Sequence, residues 1–341
     1  MKQTIFTLLI ISTFGFMSCR KDQLQQTIKQ YDSVQIKNYM VANNLTGFSK
    51  DLAGGDTSGI YYKIINKGSG DTLKYSSLIP LVFSYQTLDG TYTNTDTIKN
   101  HLYDYLGHVQ VDGLTLGLQT AIINDLKFSG GSMRVIIPSR LAYGHSGSGS
   151  GSSTVSNNRI TGNQSLDFYV SIPKIEPTPY DPVNHIRTLT TNTYDTLSIH
   201  KYLADSTTLK GYTKVESITD IPGSLGPKNY YWYKITSAGT GTYYLTDRTS
   251  IAVNYTAMLL NGTVFDSNTA TGGTSFYIGN LTQGVKEAFE LTDNSGNSLV
   301  KLNTKISIIV PSNLAYKLGG TTGVPAFSAL RFDFYIVSIT Q

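Results

Sequence analysis

The residues of this 341-residue chain best placed to do chemistry are aromatic. Toward its end stand Tyr255, Phe265-Asp266, Tyr316 and Phe332, beside glycine-bearing turns, and Tyr85, Tyr143 and Phe168 occupy corresponding places in the first half. Such a set offers ring faces and phenolic hydroxyls but no activated nucleophile. The five histidines, His101, His108, His145, His185 and His200, show none of the metal-ligand spacings and read as surface or turn residues. No Gly-x-Ser-x-Gly elbow occurs and the carboxylates form no evident pair on one element, so hydrolysis has no motif to carry it. The plainer reading of the aromatic set is core packing, which fits Phe168, Phe334 and most of the alternating apolar residues.

The elements that position these residues occur twice. Tyr31-Asp32-Ser33-Val34 through Tyr39-Met40 returns as Tyr194-Asp195-Thr196-Leu197 through Tyr202-Leu203, with apolar spacing that predicts a short amphipathic helix in each copy. Strands with period-two alternation repeat as well. Leu81, Phe83 and Tyr85 match Ile251, Val253 and Tyr255, and each set runs into a hairpin signal, Asp89-Gly90 or Asn261-Gly262. Leu114 to Ile122 matches Leu281 to Phe289 as a short helix entered through a glycine. Met133, Val135 and Ile137 before Pro138 match Ile306, Ile308 and Val310 before Pro311. Leu141-Ala142-Tyr143 and Leu314-Ala315-Tyr316 follow, and a strand closes each copy. Pro177, Pro179 and Pro182 mark a linker over residues 176–193. The Gly-Ser run from Gly144 to Ser153 lacks the Lys-Ser/Thr ending of a phosphate loop and reads as a flexible loop.

Length and composition agree with two domains, each large enough to bury a core. Charged residues make up 15% of the chain, well below the usual quarter or so, and the formal charge of +4 is too small for a nucleic-acid footprint. The single cysteine, Cys19, excludes an intramolecular disulfide and a thiolate metal cage. It follows Met1-Lys2 and an apolar run from Ile5 to Met17, too short to span a bilayer and built like a signal-peptide core. Phe16-Met17-Ser18-Cys19 resembles a bacterial lipobox, which implies cleavage after residue 18 and lipidation of Cys19. Phe16 departs from the usual aliphatic residue, and an ordinary secretory signal with an incidental cysteine is the other reading.

The second copy resembles the FKBP-type peptidyl-prolyl cis-trans isomerases. The resemblance rests on Val253-Asn254-Tyr255-Thr256-Ala257, Asn261-Gly262-Thr263-Val264-Phe265-Asp266-Ser267, Phe276-Tyr277-Ile278-Gly279, Ile308-Ile309-Val310-Pro311 to Ala315-Tyr316, and Leu330-Arg331-Phe332-Asp333-Phe334. These motifs cover about the last 110 residues in family order. The resemblance implies an α+β fold, a bent antiparallel sheet wrapped around a short helix, once per copy. It implies an aromatic pocket for a proline ring, lined by Tyr255, Phe265, Asp266, Tyr316 and Phe332 with Phe276. Leu281 and Thr282 are expected at its base and Val324 in the loop after Tyr316. Val285 stands where the family often carries tryptophan, which implies a shallower or wider pocket. The first copy keeps Tyr85, Leu114, Thr115, Leu118, Tyr143 and Phe168 but replaces Phe-Asp by Thr93-Asn94 unless Tyr92 substitutes, so its activity is expected to be weak or absent.

The resulting organisation is a leader at 1–18, a tether and helix at 19–58, a degenerate FKBP-like domain at 59–175, the linker, a helix and connector at 194–228, and a second FKBP-like domain at 229–341. The function implied is prolyl isomerisation on exported, proline-containing polypeptides in the cell envelope, anchored through acyl chains at Cys19. No cofactor, metal or nucleic acid is expected, and macrolide-type inhibitors are a further implied partner. The competing reading is a non-catalytic chaperone or binding scaffold.

Overall fold

The structure is a computed structural model describing residues 27–53, 55–110, 113–152, 155–175, 190–205, 209–218 and 228–340. Cys19, its leader, His185 and most of the linker lie outside the described residues.

Helix α1 (Ile28–Ala42) opens on a capping box, in which Thr27 Oγ1 accepts from Gln30 N at 3.3 Å and Gln30 Oε1 accepts from Thr27 N at 2.9 Å. The first sheet follows, with β1 (Ser49–Lys50), β2 (Tyr61–Asn66), β3 (Leu78–Thr87), β4 (Thr93–Asn94), β5 (His101–Tyr105), helix α2 (Leu116–Ala121), β6 (Ser132–Ile137) and β7 (Leu166–Ser171). Helix α3 (Thr191–Ala204) begins the second unit, capped by Thr190 accepting from Thr193 N. Then come β8 (Thr213–Glu216), β9 (Tyr230–Ser237), β10 (Ser250–Leu259), β11 (Val264–Asn268), β12 (Thr274–Tyr277), helix α4 (Gln283–Phe289), β13 (Lys305–Val310) and β14 (Leu330–Thr340).

Both sheets are antiparallel, seven-stranded and identical in plan. The first runs β1-β2-β6-β7-β3-β4 with β5 also on β3, and the second runs β8-β9-β13-β14-β10-β11 with β12 also on β10. The internal repeat is therefore one topology used twice, with a helix against each face of each sheet. On one face α4 buries Val285, Ala288 and Phe289 among Ile306, Ile308, Val310 and Phe334. Residues of opposite parity, Trp232 and Ile309, pack on Ile199 of α3. Period two on the strands thus feeds two cores.

The short helices are not entered through glycine. Thr115 and Thr282 occupy the N-cap, and Gly117 and Gly284 sit one residue inside the helix. Glycine is needed there by packing, since a Cβ on Gly284 would lie 2.6 Å from Val310 Cγ1 and one on Gly117 2.3 Å from Ile137 Cγ2. The sheets begin before residues 59 and 229, because the edge strands β1 and β8 precede those positions. The linker ends earlier than residue 193, since Thr190 caps α3 and Thr191 N donates to Lys174 O. The described part of the Gly-Ser run is pinned, with Ser148 and Ile160 exchanging both backbone hydrogen bonds at 2.9 Å.

Candidate active site

The turn Leu260-Asn261-Gly262 joins β10 to β11. Gly262, at φ 85°, takes the left-handed conformation this hairpin needs. The hairpin brings Tyr255 on β10 alongside Phe265 and Asp266 on β11, Phe332 stands on the neighbouring β14, and Tyr316 follows the helical turn Ser312–Leu314 beyond β13. These five side chains surround one hollow of about 190 Å³, and Leu281, Thr282 and Val285 from the start of α4 close its base. The walls are rings set edge to face. Phe265 lies 6.4 Å from Tyr316 and 6.2 Å from Phe332, and Tyr255 lies 5.8 Å from Phe276.

The polar groups are few. Tyr255 Oη donates to Asp266 Oδ2 at 2.8 Å. Burial, that hydrogen bond and the Asp266 charge push the Tyr255 phenol up to about 12, so it stays a neutral donor across the physiological range. Burial and the same carboxylate raise Tyr316. Among the described residues Tyr316 Oη has no hydrogen-bond partner, although the side chain lines the hollow and is 36% exposed. Thr282 Oγ1 is buried and also unpartnered, whereas its counterpart Thr115 Oγ1 accepts from Leu118 N. The hollow therefore offers an apolar floor, aromatic walls and two uncommitted hydroxyls.

Of the residues singled out in the sequence, Tyr255, Phe265, Asp266, Phe276, Leu281, Thr282, Val285, Tyr316 and Phe332 line this hollow. Val324 does not; it is buried in the core, where a tight turn with Thr321 holds it. Ala257, Asn280 and Phe334 also line the hollow and were missed. Ala257 and Phe334 lie two residues beyond Tyr255 and Phe332 on the same strand faces, so the alternation itself could have found them. Val285 is nearly fully buried as the floor. Among the described residues no cluster of three or more His, Cys, Asp or Glu side chains could hold a metal.

The family model described as FKBP-type peptidyl-prolyl cis-trans isomerase matches residues 242–337, the segment that carries every wall of the hollow. Residues 242–337 are an FKBP-type domain. The chain is 32% identical over 134 residues to the FKBP-type peptidyl-prolyl cis-trans isomerase FkpA of Buchnera aphidicola (strain APS), covering 39% of this chain and 49% of that one. It is 30% identical over 108 residues to FkpA of Escherichia coli K12, covering 31% and 37%. The chain thus spans about half, or less, of the length of these curated relatives. Among solved structures, the crystal structure of FkpA from Escherichia coli aligns at 24% identity over 44% of this chain and 59% of its own, with a TM-score of 0.33. The three FKBP domains of wheat FKBP73 align at 15% identity over 86% and 99%, with a TM-score of 0.29.

The first sheet repeats the strand plan of the second but fills the corresponding site with its own side chains. Tyr92 stacks on Tyr85 at 5.9 Å, and Tyr85 stacks on Phe168 at 4.8 Å. Tyr85 is only 9% exposed, and Leu114, Leu118 and Phe168 are buried with it. Thr115 is spent on its cap, and Tyr143 Oη donates to Gly113 O at 2.9 Å. Thr93, in the place of Phe265, bonds Asn157 Oδ1 instead.

Proposed function

We propose that the second domain is a peptidyl-prolyl cis-trans isomerase whose site is the hollow between β10, β11, β14 and the start of α4. The observation that carries this reading is the convergence of Tyr255, Phe265, Asp266, Tyr316 and Phe332 on one concave surface within the FKBP-type segment. Rotating an Xaa-Pro bond opposes a barrier of roughly 18–20 kcal/mol set by amide resonance, and no bond is made or broken to cross it. A proline ring against Val285, Phe332 and Phe265 leaves the amide in an environment poor in water. Twisting reduces the amide dipole, so such a site favours the twisted form over the planar one. Tyr316 Oη is free to donate to the neighbouring carbonyl. Asp266 acts by holding Tyr255 and needs no proton transfer. Each tenfold acceleration requires about 1.36 kcal/mol of such differential binding.

The test is cis-trans exchange of a short Xaa-Pro peptide with the full chain. Acceleration that disappears in Phe265→Ala and Tyr316→Ala variants supports the reading; equal rates in wild type and both variants overturn it.

The first domain we infer to be a non-catalytic partner of the same fold, because Tyr92 occupies the pocket position and the Tyr143 hydroxyl is already bonded. A binding role toward unfolded polypeptides is the reading left to it. The leader and Cys19 support export and acyl anchoring in the cell envelope. No helix among the described residues is long and apolar enough to cross a membrane. Metabolic labelling with a fatty acid, lost in Cys19→Ser, tests the anchor.

A further inference from the structure

The repeated Tyr-Asp pair at the start of each long helix plays no part in the pocket as described, yet both copies bury the aspartate. In the second copy Asp195 Oδ2 accepts from Ser312 N at 2.8 Å and from Ser312 Oγ at 2.6 Å. Ser312 opens the helical turn that delivers Tyr316 to the hollow. In the first copy Asp32 is likewise buried against the turn before Tyr143, where Arg140 Nη1 lies 3.3 Å from Asp32 Oδ2 and Ser165 Oγ donates to Asp32 Oδ1 at 3.4 Å. The motif is thus a bolt between helix and turn, used twice.

The far end of the same segment is held by the first domain. Phe327 N donates to Lys317 O at 2.9 Å, closing residues 317–327 into a loop directly after Tyr316. Phe327 is fully buried with φ at 39°, a conformation a phenylalanine keeps only when its surroundings impose it. What surrounds it is His101, the first residue of β5, whose ring lies parallel to the Phe327 ring at 4.7 Å. His101 Nδ1 is 3.2 Å from Ala326 O, and Nε2 is 3.3 Å from Tyr194 Oη. A carbonyl can only accept, so Nδ1 carries the proton and Nε2 accepts from the Tyr194 hydroxyl. His101 is therefore an interface residue, contrary to its reading as a surface or turn residue. Burial lowers its pKa to about 4, which keeps this neutral arrangement intact at neutral pH. Asp96 Oδ2 accepts from Asn261 Nδ2 at 2.6 Å and bridges the same two domains at the hairpin turn.

We propose that Asp195 and His101 are positioning residues of the second domain's pocket, anchoring the two ends of segment 312–327 on which Tyr316 rides. The first domain and α3 are then part of the working unit, although both lie outside the FKBP-type segment. The effect on catalysis rests on the isomerase reading; the anchoring itself does not.

The experiment uses the full chain with His101→Ala, His101→Asn, Tyr194→Phe and Asp195→Ala, each checked for cooperative unfolding. The readouts are amide hydrogen exchange and Xaa-Pro peptide kinetics. In His101→Ala, the Val324 and Phe327 amides are expected to exchange at least about tenfold faster, with β13 amides unchanged. Peptide KM is expected to rise about three- to tenfold, more than kcat falls. His101→Asn, which restores an N–H toward Ala326 O, recovers part of the protection, and Asp195→Ala loosens the Ser312 end. Unchanged exchange and KM in folded His101→Ala, or faster exchange spread evenly over the second sheet, overturns the proposal. Should His101→Ala fail to fold, Tyr194→Phe and His101→Asn decide it by the same local exchange. A wild-type chain with no isomerase activity removes the isomerase reading, and the exchange data still decide the anchoring.

Discussion

Tyr255 Oη donates to the Asp266 carboxylate across the β10–β11 hairpin, joining two polar side chains of a largely aromatic wall. Asp266 is exposed and the hairpin does not depend on this bond for its register, so the pair belongs to the site more than to the fold. Tyr255→Phe and Asp266→Ala should each lower kcat/KM for an Xaa-Pro peptide by about three- to tenfold while shifting the unfolding midpoint little. The double variant should be no worse than the weaker single, because either substitution already breaks the bond. Additive losses would show that the two side chains act separately.

The two domains should respond oppositely to removal of a ring next to the site. Phe265→Ala opens a wall of the hollow and is expected to abolish most peptide exchange. Tyr92→Ala takes away a ring stacked on Tyr85, and costs roughly 1–3 kcal/mol of stability with no change in exchange rate. Loss of activity in Tyr92→Ala, measured with peptide at saturating enzyme stability, would assign catalysis to the first domain.

Much of this site was legible in the sequence because its walls come from period-two strands and from turns adjacent to them. Tyr255, Phe265, Phe276 and Phe332 lie on strands, so parity and motif order place them on one face. What stayed illegible depends on contacts distant in sequence. Asp195 meets Ser312 across 117 positions and His101 meets Ala326 across 225, and nothing local in either stretch marks the partner. Val324 was misplaced for a similar reason, since a loop's inward and outward residues follow its own hydrogen bonds and not a strand period. Gly284 is a packing position, one residue inside the helix, and its absent Cβ makes room for Val310.

That close approach gives a stability prediction with an unusual sign. Gly→Ala inside an exposed helix normally stabilises by about 0.5–1 kcal/mol. Gly284→Ala places a methyl 2.6 Å from Val310 Cγ1 and should instead destabilise by about 1–3 kcal/mol, read as a lowered midpoint in denaturant. Pairing it with Val310→Ala should recover part of the loss, since the clash is then relieved. Absence of any recovery would mean that the strain lies in the helix backbone.

One buried and one half-buried carboxyl make stability fall as pH rises. Burial lifts Asp195 from its ordinary 3.8 to about 7, against the lowering effect of the two Ser312 hydrogen bonds, and burial with the neighbouring Asp51 charge lifts Asp125 to about 7. A carboxyl whose folded pKa exceeds its unfolded value binds more protons in the native state between the two values. Its contribution is complete below about pH 4 and is lost as pH climbs through about 7. Other acids in the chain tilt the curve the opposite way, so the difference between variants is the informative quantity. Asp195→Asn keeps an acceptor for Ser312 and removes the titration. Its stability relative to wild type should therefore rise between pH 5 and 8, and Asp125→Asn should behave likewise, with a smaller change because its site is more open to water. Chemical denaturation at pH 4.5, 6 and 8 measures both. A constant offset between Asp195→Asn and wild type across that series would mean that the Asp195 carboxyl does not titrate in this window, and that Ser312 is bonded to a carboxylate throughout.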